Sequence, residues 1–124
     1  MNPTLRVLYL EDDLLDADLI RRALARLAPH CVLEHVSTLD SARYRLTGAP
    51  AYDLVLSELR LPDGNGLDLL THVRERGLSL AVIILTGSGD QEAVVAALKA
   101  GADDYLVKSG DYLERLPQVM AAAL

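Results

Sequence analysis

Residues Asp53 to Gly64 read Asp-Leu-Val-Leu-Ser-Glu-Leu-Arg-Leu-Pro-Asp-Gly. Leu54, Val55 and Leu56 form a short apolar run closed by a Pro-Asp-Gly turn, the pattern of a buried strand, and the run delivers a carboxylate, Glu58, to its C-terminal end. A charge at the end of a buried strand is costly unless a neighbour uses or neutralises it. The remaining sequence must therefore supply what meets Glu58. Ser57 alternates to the opposite face of the strand and is a poor substitute for it.

On either side, strand and helix patterns alternate. Leu5, Val7, Leu8, Tyr9 and Leu10 make a near-continuous apolar run that stops at Glu11, Asp12 and Asp13, as a strand covered on both faces would. From Leu14 the period becomes helical: Ala17, Ile20, Ala23, Leu24 and Leu27 share one face, Asp16, Asp18, Arg21, Arg22 and Arg26 fall largely on the other, and Asp13 is the expected N-cap. Pro29 ends this helix. Cys31, Val32, Leu33 and Val36 form a second strand, less uniformly apolar and so expected near a sheet edge.

Ser37 or Thr38 caps a short second helix that Gly48 and Pro50 terminate, and the Asp53 stretch is the third strand. Leu67, Leu70 and Val73 mark a third helix closed by Gly77, and Leu80 to Leu85 is a fourth strand ending at Thr86, Gly87, Ser88 and Gly89. Asp90 opens a helix from Gln91 to Ala100, Tyr105 to Val107 is a fifth strand ending at Lys108, and a last helix runs from about Asp111. Pro117 lies inside that last pattern and predicts a kink or a late start. Alternation of this kind predicts an α/β fold with a parallel sheet and helices on both faces, one domain over residues 1–124.

Composition removes several classes of function. Charges interrupt every apolar run before the roughly 18 residues a membrane span needs. The N-terminal run is followed at once by acids and has no small-residue cleavage site, so the expectation is a soluble, cytoplasmic chain without membrane contact. A net charge of −6 and the absence of Trp and Phe argue against direct nucleic-acid binding. Cys31 is the only cysteine, and His30, His35 and His72 are scattered over different elements, which disfavours thiolate or histidine metal sites.

In an open parallel sheet the working groups sit just past the C-terminal strand ends. Glu11 and Asp12, Glu58, Thr86 and Lys108 are the residues at those ends. Carboxylates gathered there repel one another and require a cation, which Lys108 supplies in part; hard oxygens without His or Cys suit Mg²⁺ for the rest.

Leu-Glu-Asp-Asp at residues 10–13, Asp-Leu-Val-Leu through Leu-Pro-Asp-Gly-Asn-Gly, Ile-Leu-Thr-Gly, and Gly-Ala-Asp-Asp-Tyr-Leu-Val-Lys together resemble the receiver domain of two-component response regulators over nearly the whole chain. The resemblance implies a flavodoxin-like (βα)5 three-layer sandwich with strand order 2-1-3-4-5. It implies that Glu11 and Asp12 are the acidic pair, Asp12 the direct metal ligand, and that Glu58 and the carbonyl of Arg60 complete the protein's ligands to Mg²⁺. Thr86 becomes the switch hydroxyl, Tyr105 the aromatic that changes rotamer with it, and Lys108 the ammonium that pairs with phosphate. The implied partners are a sensor histidine kinase or phosphotransfer protein, a downstream output domain or protein, and a second copy docked through the fourth helix, fifth strand and fifth helix.

At the centre this sequence departs from the family: the phosphoacceptor aspartate is replaced by Glu58. The extra methylene moves the carboxylate by about 1.5 Å, and a misplacement near 1 Å can cost about a hundredfold in rate. The expectation is a module that Glu58 holds without phosphorylation. Lys108 is followed by Ser109 where many receivers have proline, which predicts a looser loop, and Gly87 after Thr86 leaves room for a phosphoryl group. The rival expectation is an Mg²⁺-dependent phosphoryl-transfer or hydrolase enzyme on the same fold. It lacks an Asp-x-Asp nucleophile arrangement and a Gly-rich phosphate loop, and a flavin carrier lacks that loop too.

Overall fold

The apolar runs become a parallel sheet of five strands in the order β2-β1-β3-β6-β7, in a computed structural model that describes residues 3–48, 51–87 and 91–124. The strands are β1 (Leu5–Leu10), β2 (Cys31–Val36), β3 (Leu54–Glu58), β6 (Ala81–Thr86) and β7 (Asp104–Val107). Between β3 and β6, β4 (Arg60–Leu61) and β5 (Gly64–Asn65) form a small antiparallel ribbon around Pro62 and Asp63. With the ribbon set aside, this is the expected 2-1-3-4-5 order. The helices are α1 (Leu14–Leu27), α2 (Leu39–Leu46), α3 (Gly66–Glu75), α4 (Gln91–Lys99) and α5 (Tyr112–Ala123).

Side-chain alternation along each strand sends residues to two cores, one on each face of the sheet. Val7, Tyr9, Leu54, Leu56, Ile83 and Leu85 pack with Ile20 and Leu24 of α1 and Leu116 and Met120 of α5. Leu8, Leu10, Val55, Val82 and Ile84 pack with α2, α3 and α4 through Ala42, Leu69, Leu70, Val73 and Ala97. Strand β3, buried at every position, lies in the middle of the sheet between β1 and β6.

Local signals set the helix ends. The Asp13 side chain accepts from the amides of Leu15 and Asp16, and Thr38 accepts from Ser41, each satisfying an amide that lacks an intrahelical partner. Asn65 and Asp68 form a reciprocal capping box at α3, and Gly77 closes that helix with φ 66°. Helix α5 runs unbroken through Pro117, so the helix begins ahead of the proline and the expected late start is not met. Burial of Leu116 and Met120 against the sheet holds this stretch helical despite the missing amide. Pro50, Ser88, Gly89 and Asp90 lie outside the described residues. Among the described residues, no helix is long and apolar enough to cross a membrane.

Candidate functional site

Strand register brings the polar ends together. Leu10 pairs with Ser57, Glu58 with Leu85, and Thr86 with Val107, so the residues that end or follow β1, β3, β6 and β7 reach the same level of the sheet. Backbone bonds hold this rim. The Glu11 amide donates to Val36 O, Leu59 to Leu85 O and Lys108 to Thr86 O, at 3.0, 2.8 and 2.8 Å.

Lys108 is the hub. Its Nζ donates to Glu11 Oε1 at 2.5 Å and to Asp16 Oδ2 at 2.9 Å, and it forms a close ion pair with Glu58 Oε2. The Glu58 contact is the closest of the three, and its Oε2 is buried. The side chains of Lys108 and Glu11 are 8% and 2% exposed, so these charges meet largely out of water. Three carboxylates thus surround one ammonium.

The proton affinities follow from that imbalance. Burial raises the pKa of Glu58; Lys108 opposes the shift, Glu11 and Asp16 add to it, and the net change is upward. Burial alone would lower the pKa of Lys108, but its bonds to Glu11, Glu58 and Asp16 override this and raise it. Behind the cluster, burial and the Glu11 charge push the Tyr9 hydroxyl far up, and Tyr9 Oη donates to Glu11 Oε1 at 3.3 Å. The amide of Asp13 donates to Glu11 Oε2 at 3.3 Å. His35 Nε2, against an acceptor-only carbonyl, donates to Glu11 O at 2.7 Å, and its ring lies 5.5 Å from that of Tyr9.

Of the residues singled out in the sequence, Glu11, Glu58 and Lys108 converge. Thr86 is buried at the end of β6 and adjoins them through the Lys108 backbone. Asp12 is exposed on the rim, Arg60 is exposed in the ribbon, and Tyr105 faces outward from β7 with 37% of its surface exposed. Among the described residues, no group of three or more His, Cys, Asp and Glu is placed to hold a metal ion.

Two contributors were not legible. Asp16 was expected on the outer face of α1, yet it turns to Lys108, because the first turn of α1 starts directly above the end of β1. Asp63 looked like an ordinary turn residue. Its carboxylate accepts from the amides of Leu39 and Asp40 at 2.8 and 3.0 Å, fastening the loop after Glu58 to the start of α2, and those bonds lower its pKa. Gly66 completes the fastening: a Cβ there would lie 2.9 Å from Glu58 O, so the close approach requires glycine.

Comparison with known proteins agrees with this geometry. The family model for the response regulator receiver domain matches residues 7–120. Over 121 residues the chain is 40% identical to the methanogenesis regulatory protein FilR1 of Methanothrix harundinacea, covering 95% of this chain and 27% of that protein. It is 39% identical to the response regulator protein PmrA of Pseudomonas aeruginosa, covering 94% of this chain and 52% of that one. The chain therefore spans about half or less of the length of these curated relatives. The solved signal receiver domain of a Luxo repressor protein from Vibrio parahaemolyticus superposes with a TM-score of 0.86 at 28% identity, over 95% of this chain and 88% of that one.

Proposed function

The chain belongs to the response regulator receiver domain family, and from that premise we propose that it is a two-component signalling module whose acceptor position is held by Glu58 as a fixed, non-phosphorylated carboxylate. The observation that carries this reading is the ion pair between Lys108 and Glu58 at the end of the central strand. Lys108 is the group that would otherwise engage a phosphoryl group. Here it meets a carboxylate that the sequence has made permanent. The backbone beneath Glu58 is fastened by the Leu59 amide and by the Ser57 hydroxyl, which donates to Glu58 O at 2.9 Å. These bonds hold the backbone at the strand end while the Glu58 carboxylate reaches Lys108.

In-line attack on a phosphohistidine or acyl phosphate depends on placement, since geometry and charge neutralisation supply most of the acceleration in phosphoryl transfer. The module acts through protein contacts with a sensor kinase or phosphotransfer protein and with an output partner. A fixed carboxylate carries less charge and fewer acceptor oxygens than a phosphoryl group, so its hold on Thr86 and Tyr105 is partial; the outward Tyr105 fits that. Asp12, Glu58 and the Arg60 carbonyl are the oxygens that would hold Mg²⁺, which tolerates few protein ligands and keeps several waters; Glu58 is at the same time paired with Lys108. Mg²⁺ held there would neutralise the acids, and binding is expected to be weak.

Incubation with acetyl phosphate and Mg²⁺ followed by intact-mass measurement tests the reading. The protein is expected to gain no phosphoryl group, whereas Glu58→Asp gains one. Equal labelling of the two would overturn it. Amide NMR shifts of Asp12 and Glu58 on Mg²⁺ titration test the metal separately, and no movement there removes it from the account.

A further inference from the structure

Arg74, in the last turn of α3, turns its guanidinium onto three other segments of the chain. Nε and Nη2 donate to Gly101 O at 3.1 and 2.9 Å, Nη1 donates to Leu80 O at 2.9 Å, and Nη2 also donates to Asp103 Oδ2 at 2.9 Å. These acceptors lie in the turn before β6, at the end of α4 and just ahead of β7. A planar fork with fixed N–H directions suits such a set. Asp103 is held in turn: its carboxylate accepts from the Val82 amide at 2.7 Å, and its own amide donates to Val82 O at 2.9 Å. Gly101 turns the chain at φ 104°, and the amides of Gly101 and Ala102 donate back to Leu98 O and Ala97 O, closing α4. The body of α4 is held more lightly, with Ala97 its one buried residue and Val95 and Leu98 exposed. Elements with few buried contacts open locally at low free energy, and an end tied by several bonds opens last.

We propose that Arg74 is a positioning residue for the α4–β7 surface, fixing the C-terminal end of α4 and the approach to β7 onto α3 and β6, so that this end is the pivot about which α4 moves. The surface is then tied at both ends of the sheet. At the C-terminal strand ends the Lys108 amide bonds to Thr86 O, and at the opposite ends Arg74 and Asp103 fasten it. Motion of α4 is a swing about a fixed end, not a displacement of the whole helix. None of these Arg74 contacts involves Glu58 or Lys108, so the inference stands apart from the reading of Glu58 as a fixed carboxylate.

Hydrogen–deuterium exchange of the full chain, followed amide by amide by NMR, tests this. In the parent protein the amides of Ala100, Gly101 and Ala102 are expected to be better protected than those of Val95 and Ala96. In Arg74→Met, protection at Ala100, Gly101 and Ala102 is expected to fall by about tenfold or more, as the loss of charge-assisted bonds implies, and the gradient along α4 to vanish. Arg74→Lys keeps the charge but not the fork, so it is expected to lose part of the same protection, and it supplies the readout should Arg74→Met fold poorly. Ile20→Val, which loosens the core on the other face of the sheet, controls for general destabilisation and is expected to leave the gradient in place. A parent without the gradient, Arg74 variants that retain it in full, or its equal loss in Ile20→Val would overturn the proposal.

Discussion

Lys108 stands where three buried or half-buried carboxylates would otherwise repel one another. Removing it strands those charges, and breaking a buried pair in this way costs about 3–5 kcal/mol. Lys108→Met is therefore expected to lower stability to chemical denaturation by that amount, a far larger loss than a surface lysine would give. Glu58 behaves in the opposite sense. Its pKa is raised in the fold, so ionising it costs folding stability; its contribution is present below the ordinary carboxylate pKa and is lost as pH rises through the raised value. Glu58→Gln should accordingly raise the thermal midpoint at neutral pH, with the difference shrinking as pH falls into the carboxylate range. Glu11, Glu58 and Lys108 were legible in the sequence because each ends or follows an apolar run, and parallel strands align such ends. Asp16 was not legible. Helical spacing groups it with polar residues, and only the placement of α1 over β1 turns its carboxylate inward.

The element that organises the site is β3 with the ribbon and helix that follow. The strand itself is readable from Leu54, Val55 and Leu56, but the two-residue strands β4 and β5 are too short to show any period. Their purpose is visible in the contacts. Asp63 ties the ribbon to α2, and Gly66 lets α3 begin against the carbonyl of Glu58. Asp63→Ala should lower the thermal midpoint by exposing the Leu39 and Asp40 amides. Because the pKa of Asp63 is lowered, that loss is present above the ordinary aspartate pKa and fades as pH falls through the depressed one. Gly66→Ala places a methyl 2.9 Å from Glu58 O and 3.1 Å from Ile84 Cδ1. Overpacking of this kind costs about 1–3 kcal/mol, and the displacement should appear as shifted amide signals at Ser57, Glu58 and Leu59. Pro117 shows the limit of element-level reading, since tertiary burial carried α5 through a residue that local rules treat as a break.

Across the whole molecule, alternating strands and helices determined the architecture, and the order of strands brought β1, β3, β6 and β7 to a common edge. What the pattern did not disclose is the shape of the surface around α4 and β7. Val95, Leu98 and Tyr105 are exposed together, around a groove of about 500 Å³ also lined by Gln91, Val94 and Val107. Were this surface the contact with a second copy, Val95→Asp would abolish the concentration dependence of the sedimentation coefficient while leaving the fold intact. The site and this face are joined by the backbone bond from Lys108 to Thr86 and by the Thr86–Val107 register. The most direct test of a fixed carboxylate at position 58 is therefore the amide spectrum of α4, β7 and α5 during titration with beryllofluoride and Mg²⁺. The account predicts that the Glu58 protein shows no beryllofluoride-specific change beyond the effect of Mg²⁺ alone, while Glu58→Asp shifts at Thr86 and Tyr105. Matching beryllofluoride-dependent shifts in both proteins would contradict it.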